Sequence, residues 1–445
     1  MDAGVRGTGE MSESEVVRKY TSEIGEEDTG KQVLLYGWIH ELRDLGGVVF
    51  ALLRDREGII QLTCPKKRSP DIIKGLRKTR RESVVKVIGE VKKEPKAPGG
   101  FEVLPDYYEV LNEADAPLPL DVVEKVPAEL DTRLDARFLD LRKPRVQAIF
   151  RVRHEMLQSV RDFLSEEGFI EVNTPKIVST ATEGGTELFP ISYFEREAFL
   201  NQSPQLYKQV LMGAGLEKVF EIGPIFRAEE HNTVRHLNEA ISIDIEQSFT
   251  DHEGVMRVLE RLVQRVYEDI SEKCAKYLDW IGVDIQIPEL PFPRITYDEA
   301  IEIVKNKGEE ISWGEDFSTP ALKILSENIE GHYYIVDWPT EIKPFYAMPH
   351  ENEPEISKTF DLMAGSLELA SGAQRVHLYD LLVRKISEKG MSPESFEFYL
   401  NAFRYGMPPH AGWGLGADRL IMSILKLKNI REAVIFPRDR TRLTP

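Results

Sequence analysis

The sequence predicts an α+β protein in two modules: a small N-terminal β-barrel, then a larger domain in which an antiparallel sheet is flanked by helices. Three observations carry this reading. From Gln32 to Asn112 apolar residues alternate with polar ones at the strand period. From Glu113 to Pro144 the chain carries Pro117, Pro119, Pro127 and Pro144, which interrupt regular structure. Beyond it, long runs at helical spacing are interleaved with short strand-like segments. The 445 residues suggest two or three domains, and 42% hydrophobic content supports a sizeable core.

Residues 1–20, rich in Gly, Ser and Glu, read as a flexible tail. In 21–112, QVLLYGWIHEL, GVVFALLRD, GIIQLTC, SVVKVIGEV and FEVLPDYYEVL read as five strands, with a charged helix from about Ser69 to Arg81 between the third and fourth. That order describes an OB-fold, a barrel that commonly binds single-stranded nucleic acid, although any small barrel shares the pattern. Residues 113–144 read as a hinge and 145–445 as the second domain. There, Ile149, Val152, Met156, Val160 and Phe163 mark a helix that ends at Glu166 to Gly168. Leu259 to Tyr267 and Leu415 to Leu425 read as further helices, and IPELPFPRITY and HYYIVDWP as loop and strand.

The net charge of -18 argues against a nonspecific nucleic-acid binder, because neutralising phosphates needs clustered Lys and Arg. A nucleic-acid partner would need a local patch, and Lys66, Lys67, Arg68, Lys74, Arg77, Lys78, Arg80 and Arg81 crowd one stretch; a solvated helix face has the same pattern. Cys64 and Cys274 lack metal or disulfide spacing. No apolar run reaches membrane-span length and no apolar signal core opens the chain, so a cytoplasmic location and no membrane partner are expected.

Two segments almost two hundred residues apart suggest a polyphosphate site. FRAEEHNTVRH (Phe226 to His236) sets Arg227, Arg235 and His236 around Glu229 and Glu230. GWGLGADR (Gly412 to Arg419) places Gly412, Gly414 and Gly416 before Arg419 and a helical run, where close backbone approach and a helix N-terminus would suit an anion. G-x-G-x-G is neither a dinucleotide nor a Walker fingerprint, and alone it is usually a turn. A third element, GFIEVNTP (Gly168 to Pro175), follows the long helix.

With Pro175, FRxE plus its downstream Arg-His, and GxGxGxxR in this order, the chain resembles the class II aminoacyl-tRNA synthetases. ATEGGTELF, QSPQLYKQ, RHLNE and FPRDRTRLTP narrow the resemblance to archaeal-type aspartyl-tRNA synthetases. The resemblance implies that L-aspartate attacks the α-phosphorus of ATP and that the aspartyl group passes to tRNA. It implies catalytic roles for Arg227 and Arg419. It assigns aspartate binding to Glu183, Gln205, Lys208, Arg227, Asp244, Ser371 and Arg375. ATP contacts fall on Arg227, Glu229, Arg235, His236, Leu237, Glu368, Gly416, Ala417, Asp418 and Arg419, and Mg2+ on Glu368 and Ser371. A homodimer is implied, because the segment around Pro175 builds the family's subunit interface.

Amino-acid choice turns on charge. Lys208 and Arg375 stand where the aspartyl enzymes place cations for a side-chain carboxylate, whereas asparaginyl relatives usually carry QLYLE. Many relatives follow the motif 2 glutamate with a phenylalanine that stacks on adenine; here Ala240 follows Glu239, and Ile241 or His236 is expected to cover the base. In the barrel, Arg43, Phe50 and Gln61 match anticodon-reading positions, although Phe50 on an alternating strand is most simply a core residue. His40 and Pro98 stand where strict enzymes tend to carry tryptophan and lysine, so the partners implied are both tRNA-Asp and tRNA-Asn. The competing readings are a strictly discriminating enzyme, a synthetase-derived asparagine synthetase and a silent RNA-binding paralog. Retention of the barrel weighs against the second, and retention of Arg227 and Arg419 against the third.

Overall fold

The structure is a computed structural model that describes residues 5–6, 16–123, 125–179, 187–230 and 233–445. It divides into two compact units, Met1–Pro144 and Arg145–Pro445. The first contains β1 (Val5–Arg6), β2 (Gln32–Asp44), β3 (Val48–Arg54), β4 (Ile59–Pro65), α1 (Pro70–Lys78), β5 (Val84–Lys93) and β6 (Phe101–Asn112). The strands run in the order β1-β6-β4-β3-β2-β5, and an antiparallel β5–β6 pairing closes the barrel, leaving no long edge. Alternation does the sorting: Val49, Ala51 and Leu53 of β3 point inward with Val33, Leu35, Ile60 and Leu62, and Ile72, Ile73 and Leu76 of α1 pack into the same core. The five expected strands and their intervening helix are all present.

Part of the stretch read as a flexible tail is tied down. Val5–Arg6 pair with Tyr107 and Tyr108, and Arg18 bridges Leu34. The proline-rich interval also carries structure of its own, in α2 (Leu130–Asp135), α3 (Arg137–Asp140) and a small cluster of Leu120, Val122, Ala136 and Leu139.

The second unit opens with α4 (Pro144–Glu166), β7 (Ile170–Glu171), β8 (Ile177–Val178), β9 (Pro190–Tyr193), β10 (Arg196–Leu200), α5 (Gln205–Gly213), β11 (Lys218–Phe226) and β12 (Glu239–Ser248). There follow α6 (His252–Lys273), α7 (Ala275–Ile281), β13 (Arg294–Thr296), α8 (Tyr297–Asn306), α9 (Thr319–Asn328), β14 (His332–Val336), β15 (Thr359–Ala364) and β16 (Leu367–Gln374). The chain ends with α10 (Tyr379–Glu388), α11 (Glu397–Arg404), β17 (His410–Gly416) and α12 (Ala417–Ile424). Eight strands form one sheet in the order β13-β14-β15-β16-β17-β12-β11-β7, antiparallel except where β13 and β7 join its two edges.

One face of this sheet packs on helices. Ile149, Val152, Met156 and Val160 of α4 and Val255, Leu259, Leu262 and Val266 of α6 meet Ile243, Ile245, Trp413 and Leu415 in a single core. Asp251 caps α6 by accepting from the Gly254 amide at 2.9 Å. The helix expected from Leu415 starts two residues later. Leu415 and Gly416 are held extended because β17 is laddered on both sides, to β12 and to β16.

Two histidines of this unit have rings packed among other side chains, His332 half-buried and His410 fully buried. His332 stacks on Phe292 at 5.2 Å and meets Tyr267 edge-on, and its Nε2 has no partner. The fully buried His410 lies at the start of β17. Burial lowers each from the usual 6.5 to about 4. The unfolded chain therefore binds protons between those values that the folded chain refuses. Stability is fully present above pH 6.5 and falls as pH drops toward 4, by about 1.4 kcal/mol per pH unit per histidine. Urea midpoints measured from pH 7.5 to 4.5 should show this slope. His332→Phe, which keeps the stacking, should reduce it by one histidine's share; an unchanged slope would refute the assignment.

Candidate functional site

The opposite face of the sheet is built by strand parity. In β12, Ile241, Ile243 and Ile245 alternate with Ser242, Asp244 and Glu246, so one face is apolar and the other carries two carboxylates. The facing strand β17 answers with Gly412, Gly414 and Gly416: Glu246 pairs with Gly412, Asp244 with Gly414 and Ser242 with Gly416. The G-x-G-x-G run is thus a strand stripped of side chains on its inner face, not a phosphate-binding turn. A Cβ at Gly412 would lie 2.3 Å from both Glu246 Oε2 and the Ile245 carbonyl. Glycine there makes room for the carboxylate.

Two cations complete the floor. Lys208, on α5 and 2% exposed, donates to Asp244 Oδ1 at 2.8 Å and to the Trp413 carbonyl at 3.1 Å, and lies 3.7 Å from Glu246. Arg375, just beyond β16 and 3% exposed, donates from Nε and Nη2 to Glu246 at 2.9 and 3.3 Å, with its guanidinium 5.3 Å from the Tyr346 ring. Burial works against the Arg375 charge, but Glu246 outweighs it and its pKa is raised. Lysine carries three donors and arginine five, so each keeps donor capacity beyond these bonds.

The same face holds the cations read from the sequence. A cavity of about 330 Å3 is lined by Gln205, Arg227, Glu229, Arg235, His236, Leu237, Asp244, Glu368, Ser371, Arg375, Gly416, Asp418 and Arg419. Lys208 and Ala417 adjoin it through Asp244 and Gly416. Glu183 lies outside the described residues. Arg227 follows β11, is 44% exposed along its side chain, and has Glu229 only at 4.0 Å. Arg235 donates to the carbonyl and hydroxyl of Ser366 at 3.0 and 2.9 Å. Arg419 donates to the Glu368 carbonyl at 3.0 Å. Burial holds the His236 pKa below its usual value; Glu229 opposes that, and Arg419, Arg227 and Arg235 add to it. The Asp418 carboxylate is taken by Arg153 and by the Ile241 amide, so it braces α12 against α4 and β12 and is not free for a ligand. Ala240 and Ile241 line the cavity beside His236, where the missing phenylalanine would be.

Three site residues escaped the sequence reading. Glu246 was legible, since it repeats the parity of Asp244. Lys343 and Asp361 carried no such signal. Asp361 is buried on β15 opposite Ser371, its Oδ2 accepts from Lys343 at 2.7 Å, and its buried Oδ1 has no partner. Burial raises its pKa; Lys343 opposes this and Glu368 adds to it. An orphaned carboxylate oxygen near a second carboxylate and the Ser371 hydroxyl is an all-oxygen donor set, which suits Mg2+. Among the described residues there is no cluster of three or more His, Cys, Asp or Glu that could hold a metal.

In the barrel, parity removes the core reading of Phe50. Val49 and Ala51 are buried, whereas Phe50 is half-buried on the outer face between Arg43 and Thr63. Gln61, two residues from Thr63 on β4, donates to Glu102 at 3.1 Å. His40 is buried: its Nδ1 accepts from Arg54 at 2.7 Å, and Arg54 in turn grips Glu82 at 2.9 and 2.7 Å. Although burial opposes it, the His40 ring 3.9 Å away and bonds from Arg54 and Arg142 bring the Glu82 pKa down to about 2. Pro98 is exposed in the turn between β5 and β6. Much of the basic stretch is paired with carboxylates: Arg68 with Glu90 and Asp106, Lys74 with Asp71, Arg77 with Asp44, and Arg81 with Asp121. Exposed pairs of this kind are weak, so a phosphate can compete for the cations. Cys64 and Cys274 are buried free thiols, and no helix among the described residues is long and apolar enough to cross a membrane.

Comparison with known proteins agrees with this geometry. Residues 129–440 match the class II tRNA synthetases (D, K and N), and residues 33–111 match the OB-fold nucleic acid binding domain. The chain is 74% identical over 430 residues to an aspartate--tRNA(Asp/Asn) ligase of Archaeoglobus fulgidus, covering 96% of this chain and all of that one. It is 60% identical over 427 residues to the corresponding ligase of Methanothermobacter thermautotrophicus, covering 96% and 98% of the two chains. Among solved structures, asparaginyl-tRNA synthetase from Pyrococcus horikoshii complexed with asparaginyl-adenylate superposes with a TM-score of 0.91 at 36% identity, covering 96% and 99%. Aspartyl-tRNA synthetase from Entamoeba histolytica gives 0.86 at 30%, covering 100% and 99%.

The packing makes a steric prediction. Gly412→Ala should destabilise the protein by about 1–3 kcal/mol through overpacking against Glu246 and the Ile245 carbonyl. Gly414→Ala, whose Cβ would approach Asp244 Oδ1 at 3.1 Å, should cost less. Equal unfolding midpoints for the two variants would contradict the floor as described.

Proposed function

This chain belongs to the class II tRNA synthetases of the D, K and N group, and from that premise we propose that it attaches L-aspartate to tRNA-Asp and to tRNA-Asn through an aspartyl-adenylate. The observation that carries the amino-acid assignment is the burial of two cations at one end of the cavity, Arg375 in its lining and Lys208 on the lining residue Asp244. A side-chain carboxylate satisfies both cations. A neutral amide would enter the same desolvated space with weaker bonds.

Aspartate lies with its side-chain carboxylate on Lys208 and Arg375, Asp244 keeping the lysine in place. Its α-carboxylate attacks the α-phosphorus of ATP and pyrophosphate leaves. A terminal ribose hydroxyl of the tRNA then displaces AMP. No protein nucleophile takes part, so the chain's contribution is positioning and preorganised charge. Arg227 spans the substrate carboxylate and the α-phosphate, while Arg235, His236 and Arg419 hold the outer phosphates. Ala240, Ile241 and His236 form the adenine wall. Glu368 and Ser371, with Asp361 beside them, would hold Mg2+, which would supply charge neutralisation to the triphosphate. Glu183 completes the aspartate site as the residue for its ammonium.

The outer-face position of Phe50, beside Arg43 and Gln61, supports stacking of an anticodon base on the barrel. His40, being buried on Arg54 and Glu82, influences the third anticodon position through those neighbours, and Pro98 by stiffening the turn after β5. The tRNA-Asn part of the reading is supported by the names of the Archaeoglobus and Methanothermobacter relatives. A homodimer is supported by the exposed apolar side chains of Ile170 and Ile177 flanking Pro175, a surface that a second copy would cover.

Aspartate-dependent ATP–pyrophosphate exchange without tRNA is the first test, and its absence in folded protein would overturn the catalytic reading. Arg227→Ala should lower the exchange rate by roughly 10²–10³, by analogy with loss of one preorganised oxyanion donor. Transcripts of tRNA-Asp and tRNA-Asn should both be charged with aspartate, and His40→Trp with Pro98→Lys should lower tRNA-Asn charging more than tRNA-Asp charging. Failure to charge tRNA-Asn at enzyme excess would restrict the enzyme to tRNA-Asp.

A further inference from the structure

Behind Gln205, at the amino-acid end of the cavity, runs a chain of buried polar groups that do not themselves line it. Gln205 lines the cavity and donates from Nε2 to Gln209 Oε1 at 2.9 Å. The Tyr399 hydroxyl donates to the same oxygen at 3.2 Å. Gln209 Nε2 lies 2.9 Å from His410 Nε2, and His410 Nδ1 lies 2.8 Å from the Pro408 carbonyl. Gln209, Tyr399 and His410 are fully buried and Gln205 is 4% exposed.

The directions of these bonds are forced in sequence. A carbonyl only accepts, so His410 Nδ1 carries the proton. The neutral ring then offers a lone pair at Nε2, which takes the Gln209 N–H. Gln209 must therefore turn its oxygen toward Tyr399 and Gln205. Gln205 in turn spends its N–H on that oxygen and keeps its own carbonyl oxygen for the cavity. We propose that His410 and Gln209 are positioning residues for amino-acid recognition. Through two amides they fix Gln205 so that its carbonyl oxygen, and not its NH2, meets the α-ammonium of the substrate. The titratable groups facing His410 are Glu246 on β12 and Arg375 and His377 beyond β16. They tie the chain to the floor that takes the side-chain carboxylate. The proposal rests on the reading that this pocket takes aspartate.

The test compares L-aspartate, in pyrophosphate exchange, with L-malate as a competitive inhibitor, since malate has a hydroxyl where aspartate has its ammonium. In the full chain, Gln209→Met and His410→Phe should each raise KM for aspartate roughly tenfold or more, while KM for ATP and Ki for malate stay within about twofold. Gln209→Glu keeps an oxygen facing Gln205, and its other oxygen can accept from His410 Nε2 once the ring takes up a proton from solvent, so it should retain the preference for aspartate over malate. A purely structural role would weaken aspartate, malate and ATP together, and that result in a folded variant overturns the proposal. So does an unchanged aspartate KM, or loss of the aspartate preference in Gln209→Glu. If the unaltered enzyme shows no aspartate-dependent exchange, the functional reading fails and not this one.

Discussion

The site depends on keeping two cations and two carboxylates dry together. Lys208, Arg375, Asp244 and Glu246 are each between 0 and 5% exposed. Removing such charges from water is expensive unless every partner is in place, and removing one partner is far worse than exchanging the whole set. The fold meets this requirement by geometry. The carboxylates alternate along one central strand, the glycines opposite leave them room, and the cations enter from α5 and from beyond β16. Ladder hydrogen bonds on both sides of β12 and β17 prevent the register from slipping.

The two ends of the cavity are held differently. At the floor, each cation already has a carboxylate. At the open end, Arg235 rests on the neutral carbonyl and hydroxyl of Ser366, Arg419 on the Glu368 carbonyl with that residue's carboxylate 3.6 Å away, and Arg227 on little besides a distant Glu229. Carbonyls and carboxylates at 3.6 to 4.0 Å orient these guanidiniums without closing on them, so three arginines stay open toward the space where a triphosphate would lie. The acidic chain as a whole does not contradict an anionic ligand, because the relevant charge is local.

Parity explains what was legible in the sequence and what was not. The barrel could be read strand by strand because its inward and outward residues alternate, and the same alternation would have placed Phe50 on the outer face beside buried Val49 and Ala51. The motif cations were legible from their neighbours in the chain. The glycine run was misread because G-x-G-x-G is equally a turn and a strand whose inner face must stay empty; only pairing with Asp244 and Glu246 decides between them. Asp361 sits in a strand buried on both faces, where no alternation marks it. His40 is singled out only by the tryptophan that strict enzymes tend to carry at its position, and nothing in its neighbours along the chain signals that its ring is committed to Arg54.

The empty inner face of β17 has a consequence for heredity. A bare strand contributes no side-chain chemistry that mutation could retune, and enlargement at Gly412 strikes backbone as well as carboxylate. A new amino-acid preference in descendants of this enzyme is more easily reached by rewriting α5 or the stretch after β16, leaving β12 and β17 as the fixed ancestry of the pocket.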